Sequence, residues 1–216
     1  MNTHLLENAK HARERIERGE SAASWFSEAL SNVPPLDRDA WIDEVFNLGT
    51  LPEDGPALPS GCVPYLPCSV DALLRTAKHA RIGPHDVFVD IGAGVGRAAA
   101  LMHLLTGASA IGIEIQPGLV ARAHELATRL RLSRVSFVQG DAVELASEFV
   151  LGTVFFLYCP FSGQRLVRML GRLEAIARAR TIRVCCVDLP LPPCSWLELE
   201  APHFPDVAMY RSTRLQ

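Results

Sequence analysis

A glycine-rich turn between an apolar run and an alanine-rich run constrains the fold of this chain more than any other feature. Residues 87–91 are Val-Phe-Val-Asp-Ile, which apart from Asp90 is typical of a buried parallel strand. Three glycines follow, Gly92, Gly94 and Gly96. They allow a tight turn whose backbone can approach a ligand without interference from Cβ atoms. Because the next residues, Arg-Ala-Ala-Ala-Leu-Met, favour a helix, the sequence predicts a nucleotide-type binding site at the end of a parallel strand.

The spacing of these glycines distinguishes two kinds of nucleotide site. It is Gly-x-Gly-x-Gly preceded by Asp90, and not the Gly-x-Gly-x-x-Gly of dinucleotide sites. Exposed N–H groups at a helix N-terminus suit a pyrophosphate, whereas a carboxylate just before the turn suits a ligand with an ammonium or sulfonium charge. This pattern resembles the first motif of the class I S-adenosylmethionine-dependent methyltransferases. The alternative is a glycine turn that binds no ligand.

Two more acidic residues follow at the ends of the next two predicted strands. Glu114 ends the apolar residues 110–115, at the interval where such folds place a ribose-binding carboxylate. Asp141 follows the strand pattern of residues 135–138, where the methyltransferase family has an acidic residue beside the adenine. Singly, Glu114 is also explained as a strand-end acid or helix cap, and Asp141 as a helix N-cap. Acids at the ends of three successive strands predict S-adenosylmethionine as the cofactor.

The segment before the first strand resembles the DOT1-like branch of these methyltransferases. In that branch, a tyrosine followed by a Thr-Ser pair enters the helix ahead of the strand and helps to clamp the cofactor. Tyr65 and Ser69 match this pattern, while Cys68 replaces the threonine and Pro67 replaces an acid. The resemblance covers residues 65–183 and implies that Tyr65 and Ser69 bind the cofactor. From the residues alone, Ser69 is equally well explained as the N-cap of that helix.

Methyl transfer is expected at Tyr158-Cys159-Pro160-Phe161, after the most apolar predicted strand, because ligands of open α/β sheets lie at the carboxyl ends of strands. Amino-group methyltransferases have an Asn/Asp-Pro-Pro-aromatic motif here, and DOT1-like ones an Asn followed by a nearby Phe. Pro160 and Phe161 are kept, but Cys159 replaces the group that accepts a hydrogen bond from the nitrogen, and a thiol is a poor acceptor. Backbone carbonyls of Cys159 or Pro160, or the Tyr158 hydroxyl, remain as groups that can orient an amine.

The cysteines and histidines suggest neither a metal centre nor a disulfide framework. The six cysteines form no Cys-x-x-Cys pair and do not cluster with histidines, so we predict no metal. No basic residue near Cys159 in the sequence indicates a lowered thiol pKa, so we do not expect it to be a nucleophile. His203 in the terminal loop is the candidate general base, with simple solvent exposure as the alternative.

Regular alternation of strand and helix patterns from residue 87 onward predicts an α/β fold. The resemblance implies a Rossmann-like, doubly wound sheet of seven mostly parallel strands with an antiparallel C-terminal hairpin. Ahead of it, residues 1–62 are expected to form a helical extension and a Pro/Gly-rich loop, a candidate lid, and residues 63–216 the methyltransferase domain. Four aromatic residues of the extension are candidates for an acceptor pocket or for simple packing: Trp25, Phe26, Trp41 and Phe46.

Net charge and apolar content limit the cellular locations and the binding partners that the sequence predicts. The net charge of −3 among 216 residues argues against a nucleic-acid or anionic-membrane surface. No apolar stretch is long enough to span a bilayer, and the charged N-terminus lacks the apolar core of a secretory signal. We therefore expect a cytoplasmic protein whose methyl acceptor is a small molecule or a protein side chain.

Three functions compete on this basis. The first is a class I methyltransferase that moves a methyl group by in-line displacement. The second is a cofactor-binding module or partner subunit without catalysis, which Cys159 favours. The third is an NAD-type oxidoreductase, which the glycine spacing and Asp90 disfavour. Binding of the cofactor distinguishes the first from the third, and turnover distinguishes the first from the second.

Overall fold

The computed structural model describes residues 1–20, 22, 24–50, 52–53, 55, 58–202 and 204–213. In this part of the chain the helices are α1 (Thr3–Glu17), α2 (Trp25–Ser31), α3 (Arg38–Val45), α4 (Val70–His79), α5 (Arg97–Thr106), α6 (Pro117–Arg129), α7 (Ala142–Leu145) and α8 (Gly163–Ala179). The strands are β1 (Val87–Ile91), β2 (Ser109–Glu114), β3 (Val135–Gln139), β4 (Val154–Tyr158), β5 (Arg183–Val187), β6 (Leu197–Leu199) and β7 (Val207–Ser212). No helix among the described residues is long and apolar enough to cross a membrane.

The strands form one seven-stranded sheet in the order β3-β2-β1-β4-β5-β7-β6. The first five in sequence pair in parallel, and β7 pairs antiparallel with both β5 and β6. The very apolar β4 lies in the middle, as its composition predicts, because a central parallel strand is buried on both faces. The order reverses direction between β1 and β4, which leaves a crevice at their carboxyl ends. This confirms the predicted fold class.

Side chains alternate between two cores, one on each face of the sheet. Phe88 and Phe156 pack on the side that carries α4, α5 and α6, together with the N-terminal helices. Val89 and Phe155 face the other side, where α8 covers the sheet. This period-two alternation lets neighbouring strands supply both cores at once. After β3 the chain forms only the single turn α7 followed by a 3₁₀ turn over residues 146–148.

The N-terminal helices belong to the first of these cores. Phe26, Trp41 and Phe46 have no exposed surface, and Trp25 packs against the same cluster. None of these aromatic residues lines the cleft at the strand ends, so packing and not acceptor binding is their role. The division of the chain after residue 62 stays a prediction.

Arg97, the first residue of α5, joins the glycine turn to the N-terminal helices. It is 3% exposed, and its guanidinium donates to Asp43 Oδ1 at 2.7 Å and to Asp39 Oδ1 at 2.8 Å, both on α3. It also donates to the backbone carbonyl of Cys68, immediately before α4. Asp39 in turn accepts from the N–H of Val70 at the start of α4. One buried cation therefore holds α3, α4 and α5 together.

Replacing Arg97 with Met is expected to lower the free energy of unfolding by about 2 kcal/mol. The side chain keeps its length and helix propensity but loses charge-assisted hydrogen bonds, while the two carboxylates stay half-exposed and hydrated. Urea unfolding followed by circular dichroism measures the change. The control is Arg178→Met, which removes only an exposed pair with Glu174 and should cost less than about 0.5 kcal/mol. Equal effects for both variants would contradict a clamping role for Arg97.

Candidate functional site

A cleft of about 260 Å³ lies at the carboxyl ends of the parallel strands. Its floor comes from the residues that follow β1 to β5, and its outer wall from the segment 58–66 that precedes α4. The residues that line it and carry polar or aromatic side chains are Tyr65, Glu114, Gln116, Asp141, Tyr158, Phe161, Arg165 and Asp188. The cleft therefore lies where the order of the strands reverses, as expected for a ligand site in an open α/β sheet.

Two glycines of the turn are required by close contacts. A Cβ atom on Gly92 would come within 2.8 Å of the Pro160 side chain, and one on Gly94 would overlap the ring of Tyr65. Both glycines also have positive φ, +80° and +54°, a region that L-residues rarely occupy. The predicted cofactor loop therefore touches the predicted acceptor motif on one side and the predicted clamp on the other.

Asp90 is a buried carboxyl group without a full set of partners. The residue is 3% exposed, and its Oδ2 has no hydrogen-bond partner among the described residues. Burial raises the pKa of Asp90 to about 7, and the nearby Glu114 carboxylate adds to this increase. An unpartnered buried carboxylate is costly, so this position favours either a proton or a cationic group nearby. It fits the sulfonium or ammonium charge of S-adenosylmethionine.

Glu114, at the end of β2, is fixed against the glycine turn. Its carboxylate accepts from the N–H of Gly94 and from the N–H of Gln116, each at 2.9 Å. The side chain lines the cleft although the residue is only 7% exposed. A carboxylate has about four acceptor positions, so two remain for ligand hydroxyl groups. This arrangement suits the predicted ribose contact.

Asp141 caps α7 and forms an ion pair that was not predicted. Its Oδ1 accepts from the N–H of Val143 at 3.0 Å and from Arg165 at 2.6 Å. The guanidinium of Arg165 also lies over the ring of Phe161, 5.6 Å from its centroid. The alternative N-cap role of Asp141 is therefore real, and the side chain still lines the cleft. Arg165 carries no local sequence signal, since it is one of many arginines on an amphipathic helix.

The segment before α4 lies across the acceptor motif. Cys62 and Phe161 form an isolated antiparallel bridge, in which the N–H of Val63 donates to the carbonyl of Pro160 at 3.2 Å. Tyr65, further along, is half-buried against the glycine turn, and burial raises the pKa of its hydroxyl. The Pro160 carbonyl, one of the groups suggested for orienting an amine, is therefore already an acceptor within the chain.

Ser69 acts as a helix cap in this structure. Its Oγ accepts from the N–H of Ala72 at 3.2 Å, and the exposed residue does not line the cleft. The N–H of Val70 is bound by Asp39, so the start of α4 is largely satisfied within the chain. A cofactor contact of Ser69 stays a prediction.

The thiol of Cys159 does not act as the hydrogen-bond acceptor that its position in the motif suggests. Its φ is +41°, and its thiol donates to the backbone carbonyl of Asp188 at 2.7 Å. Burial raises the pKa of the Cys159 thiol, and Asp188 adds to the increase. The thiol is therefore neutral and directed at the end of β5. This agrees with the expectation that Cys159 is not a nucleophile, and it identifies Asp188 as a cleft residue that the sequence patterns missed.

The aromatic members of the acceptor motif both face the cleft. Tyr158 is half-buried, and burial raises the pKa of its hydroxyl, so this group stays protonated near neutral pH. Phe161 is 4% exposed and forms part of the wall. His203, the candidate base, lies outside the described residues.

Some of the predicted site residues line the cleft and others do not. Four of the eight cofactor residues line the cleft, together with the whole acceptor motif: Tyr65, Gly92, Glu114, Asp141, Tyr158, Cys159, Pro160 and Phe161. Gly94 contacts Tyr65, whereas Asp90, Gly96 and Ser69 do not line the cleft. The unpartnered Asp90, the open glycine turn and the carboxylate of Glu114 together fit S-adenosylmethionine, and the individual roles stay predictions.

A comparison with protein-family models finds one match. Residues 82–154, about a third of the chain, match the model of a methyltransferase domain. The matched stretch contains the glycine turn, Asp90 within β1, Glu114 at the end of β2 and Asp141 after β3. A comparison with curated protein sequences finds no match.

Solved structures with the same fold include several methyltransferases. An RNA methyltransferase from Salinibacter ruber, in complex with S-adenosyl-L-homocysteine, is 24% identical, with a TM-score of 0.55 over 68% of this chain and 92% of that one. The putative methyltransferase yhhF from Escherichia coli is 19% identical, with a TM-score of 0.54 over 77% of this chain and 92% of that one. A precorrin-6y C5,15-methyltransferase from Geobacter metallireducens is 14% identical, with a TM-score of 0.51 over 71% and 93%.

Because the identities are below 25%, these likenesses establish the fold alone. Together with the family match, the fold supports the sequence-based prediction of a methyltransferase that uses S-adenosylmethionine. The comparisons do not distinguish a DOT1-like branch.

Replacing Asp90 with Asn is expected to change how stability depends on pH. The pKa of Asp90 is raised in the folded protein, so the folded state binds this proton more tightly, and stability falls as pH rises from about 4 to about 7. The neutral amide avoids this loss. At pH 8 the variant should therefore be more stable than the wild type by about 4 kcal/mol, and near pH 4 the two should be equal.

Urea unfolding at a series of pH values measures this difference. Glu148→Gln, which neutralises an exposed carboxylate, is the control and should follow the wild type throughout. A constant offset between wild type and Asp90→Asn at all pH values would contradict a raised pKa at Asp90.

Proposed function

We propose that this protein is an S-adenosylmethionine-dependent methyltransferase whose acceptor binds at Tyr158-Cys159-Pro160-Phe161. The observation that carries the proposal is the contact between Gly92 and Pro160 at the floor of the cleft. It brings the predicted cofactor loop and the predicted acceptor motif together, in a chain whose residues 82–154 match a methyltransferase domain. A methyl transfer needs this proximity, because donor and acceptor must be aligned in one water-poor site.

The chain offers a distinct group for each part of the cofactor. Glu114 binds the ribose hydroxyls, and Asp90 compensates the positive charge, since it is the buried carboxyl group without a full set of partners. Asp141 borders the adenine, and Tyr65 covers the glycine turn in the manner of the DOT1-like clamp. When bound, S-adenosylmethionine supplies an activated methyl group, so the protein mainly has to hold the two reactants and exclude water.

The methyl acceptor is a small molecule or a protein side chain under this proposal. One similar structure is an RNA methyltransferase, but the exposed Asp188 at the acceptor end of the cleft would repel a phosphate backbone. The net charge of −3 also disfavours a polyanion. The predicted cytoplasmic location stays a prediction.

The competing proposal is a binding module that keeps the cofactor and does not transfer the methyl group. The thiol of Cys159 favours it, because this side chain donates to a backbone carbonyl and is a poor hydrogen-bond acceptor for a substrate nitrogen. Formation of S-adenosylhomocysteine from S-adenosylmethionine in the presence of cell extract distinguishes the two. Turnover that requires both extract and protein supports the enzyme, and binding without turnover supports the module.

Isothermal titration calorimetry with S-adenosylhomocysteine tests the cofactor site directly. The wild type should bind in the micromolar range, and Glu114→Ala should bind at least about tenfold more weakly, because it loses the hydrogen bonds to the ribose. Glu125→Ala, at an exposed position on α6, is the matched control and should bind like the wild type. Circular dichroism verifies that each variant is folded. A folded wild type that does not bind S-adenosylhomocysteine would overturn the proposed function.

A further inference from the structure

We infer that the methyl acceptor is an amine on an apolar arm, and that the carboxylate of Asp188 binds its nitrogen. This inference rests on the proposed function and specifies its substrate class. The acceptor motif lacks the group that accepts a hydrogen bond from the nitrogen, since Cys159 stands where amino-group methyltransferases have an amide or an acid. The structure places the carboxylate of Asp188 next to Cys159, directly after the neighbouring strand β5.

Strand register fixes the position of Asp188. Tyr158 and Val187 are direct partners in the parallel pair of β4 and β5, so Cys159 and Asp188 follow them side by side. Both residues have positive φ, +41° and +48°, and the Cys159 thiol donates to the carbonyl of Asp188. The N–H of Asp188 donates to the carbonyl of Asp206 at 2.9 Å. The backbone of Asp188 is therefore held from two sides, while its side chain remains at the cleft.

Asp188 is the cleft acid whose carboxylate has no partner within the described residues. Glu114 accepts from two backbone N–H groups, and Asp141 accepts from Val143 and Arg165. No hydrogen bond or ion pair of the Asp188 carboxylate is found in that part of the chain, although the residue lines the cleft. Its negative charge is close enough to contribute to the raised pKa of Tyr158 and of Cys159. An ammonium or amine group is the complement of such a carboxylate.

The surrounding groups suit an amine better than a hydroxyl or a thiol. The aromatic ring of Tyr158 lines the same cleft close to Asp188, and aromatic faces attract cationic nitrogen. Asp188 accepts an N–H hydrogen bond from the neutral amine, the task that the Cys159 thiol cannot perform. As the C–N bond forms and the C–S bond of the sulfonium breaks, the carboxylate of Asp188 stabilises the positive charge that passes to the nitrogen, which then loses a proton to water. The carboxylate forms no covalent bond in this role.

The mouth of the cleft indicates what carries the amine. Leu58, Val63 and Leu66 line it, and the last two are 39% and 58% exposed. Exposed aliphatic side chains at a binding site favour an apolar portion of the ligand. The substrate class is therefore an amine at the end of an alkyl chain, as a free molecule or as a side chain.

Two bisubstrate analogues test this inference by calorimetry. Both are S-adenosylhomocysteine with the sulfur replaced by nitrogen; one carries a 2-aminoethyl arm and the other a propyl arm of similar length. In the wild type, the amine-bearing analogue should bind at least about fivefold more tightly, and in Asp188→Asn this preference should disappear. Asn keeps the shape of the side chain and tolerates positive φ, so the variant should fold. Glu198→Gln, an exposed acid on β6 outside the cleft, is the charge-matched control and should keep the preference.

Binding of S-adenosylhomocysteine distinguishes a failure of the Asp188 assignment from a failure of the proposed function. It lacks the arm, so wild type and Asp188→Asn should bind it equally. If S-adenosylhomocysteine binds but the wild type shows no preference for the amine arm, or Asp188→Asn retains the preference, the assignment of Asp188 is wrong and the methyltransferase proposal stands. If the folded wild type does not bind S-adenosylhomocysteine, the proposed function fails, and the assignment of Asp188 fails with it.

Discussion

The buried guanidinium of Arg97 is the interaction on which the arrangement of the site depends. It lies directly after the glycine turn, is 3% exposed, and is bound by Asp39 and Asp43 of α3 and by the carbonyl of Cys68. A buried cation without these partners would be strongly destabilising, so the three segments that supply them must assemble around it. The same assembly fixes the segment that leads to Tyr65. The N-terminal helices are therefore part of the framework of the cleft, although none of them reaches it.

The sheet was predictable because its signals are local and repeat along the chain. Each parallel strand is a short apolar run bounded by turn residues, and the sequence patterns place β1, β2 and β3 to within one residue at each end. The aromatic residues of the extension were ambiguous for a physical reason. Phe26 and Trp41 are equally suited to a packed layer and to a ligand pocket, and only their position in space decides between the two.

The candidate site was predictable where a motif fixes a backbone position, and unpredictable where a side chain enters from elsewhere. The glycine turn and the acids Glu114 and Asp141 are at strand ends, so the chain order alone brings them to one edge. Arg165 comes from the helix after β4, and Asp188 from the turn after β5; both reach the cleft through strand register and helix packing. Neither has a neighbouring motif that marks it, since an arginine on a helix and an acid in a turn are ordinary surface residues.

The carboxylates near the carboxyl ends of the strands differ in how their charge is balanced, and this difference predicts different tasks for them. Glu114 and Asp141 are bound by donors of the chain itself, so they hold the walls in place. Asp90 is balanced by a proton up to about pH 7, because burial raises its pKa. A cationic ligand near Asp90 would take over the role of that proton, so ligand binding and deprotonation of Asp90 are linked. Asp188 is exposed and its carboxylate has no partner among the residues that the structure describes, so it can accept a second cationic group without this cost. A charged donor and an amine acceptor could then occupy the same cleft.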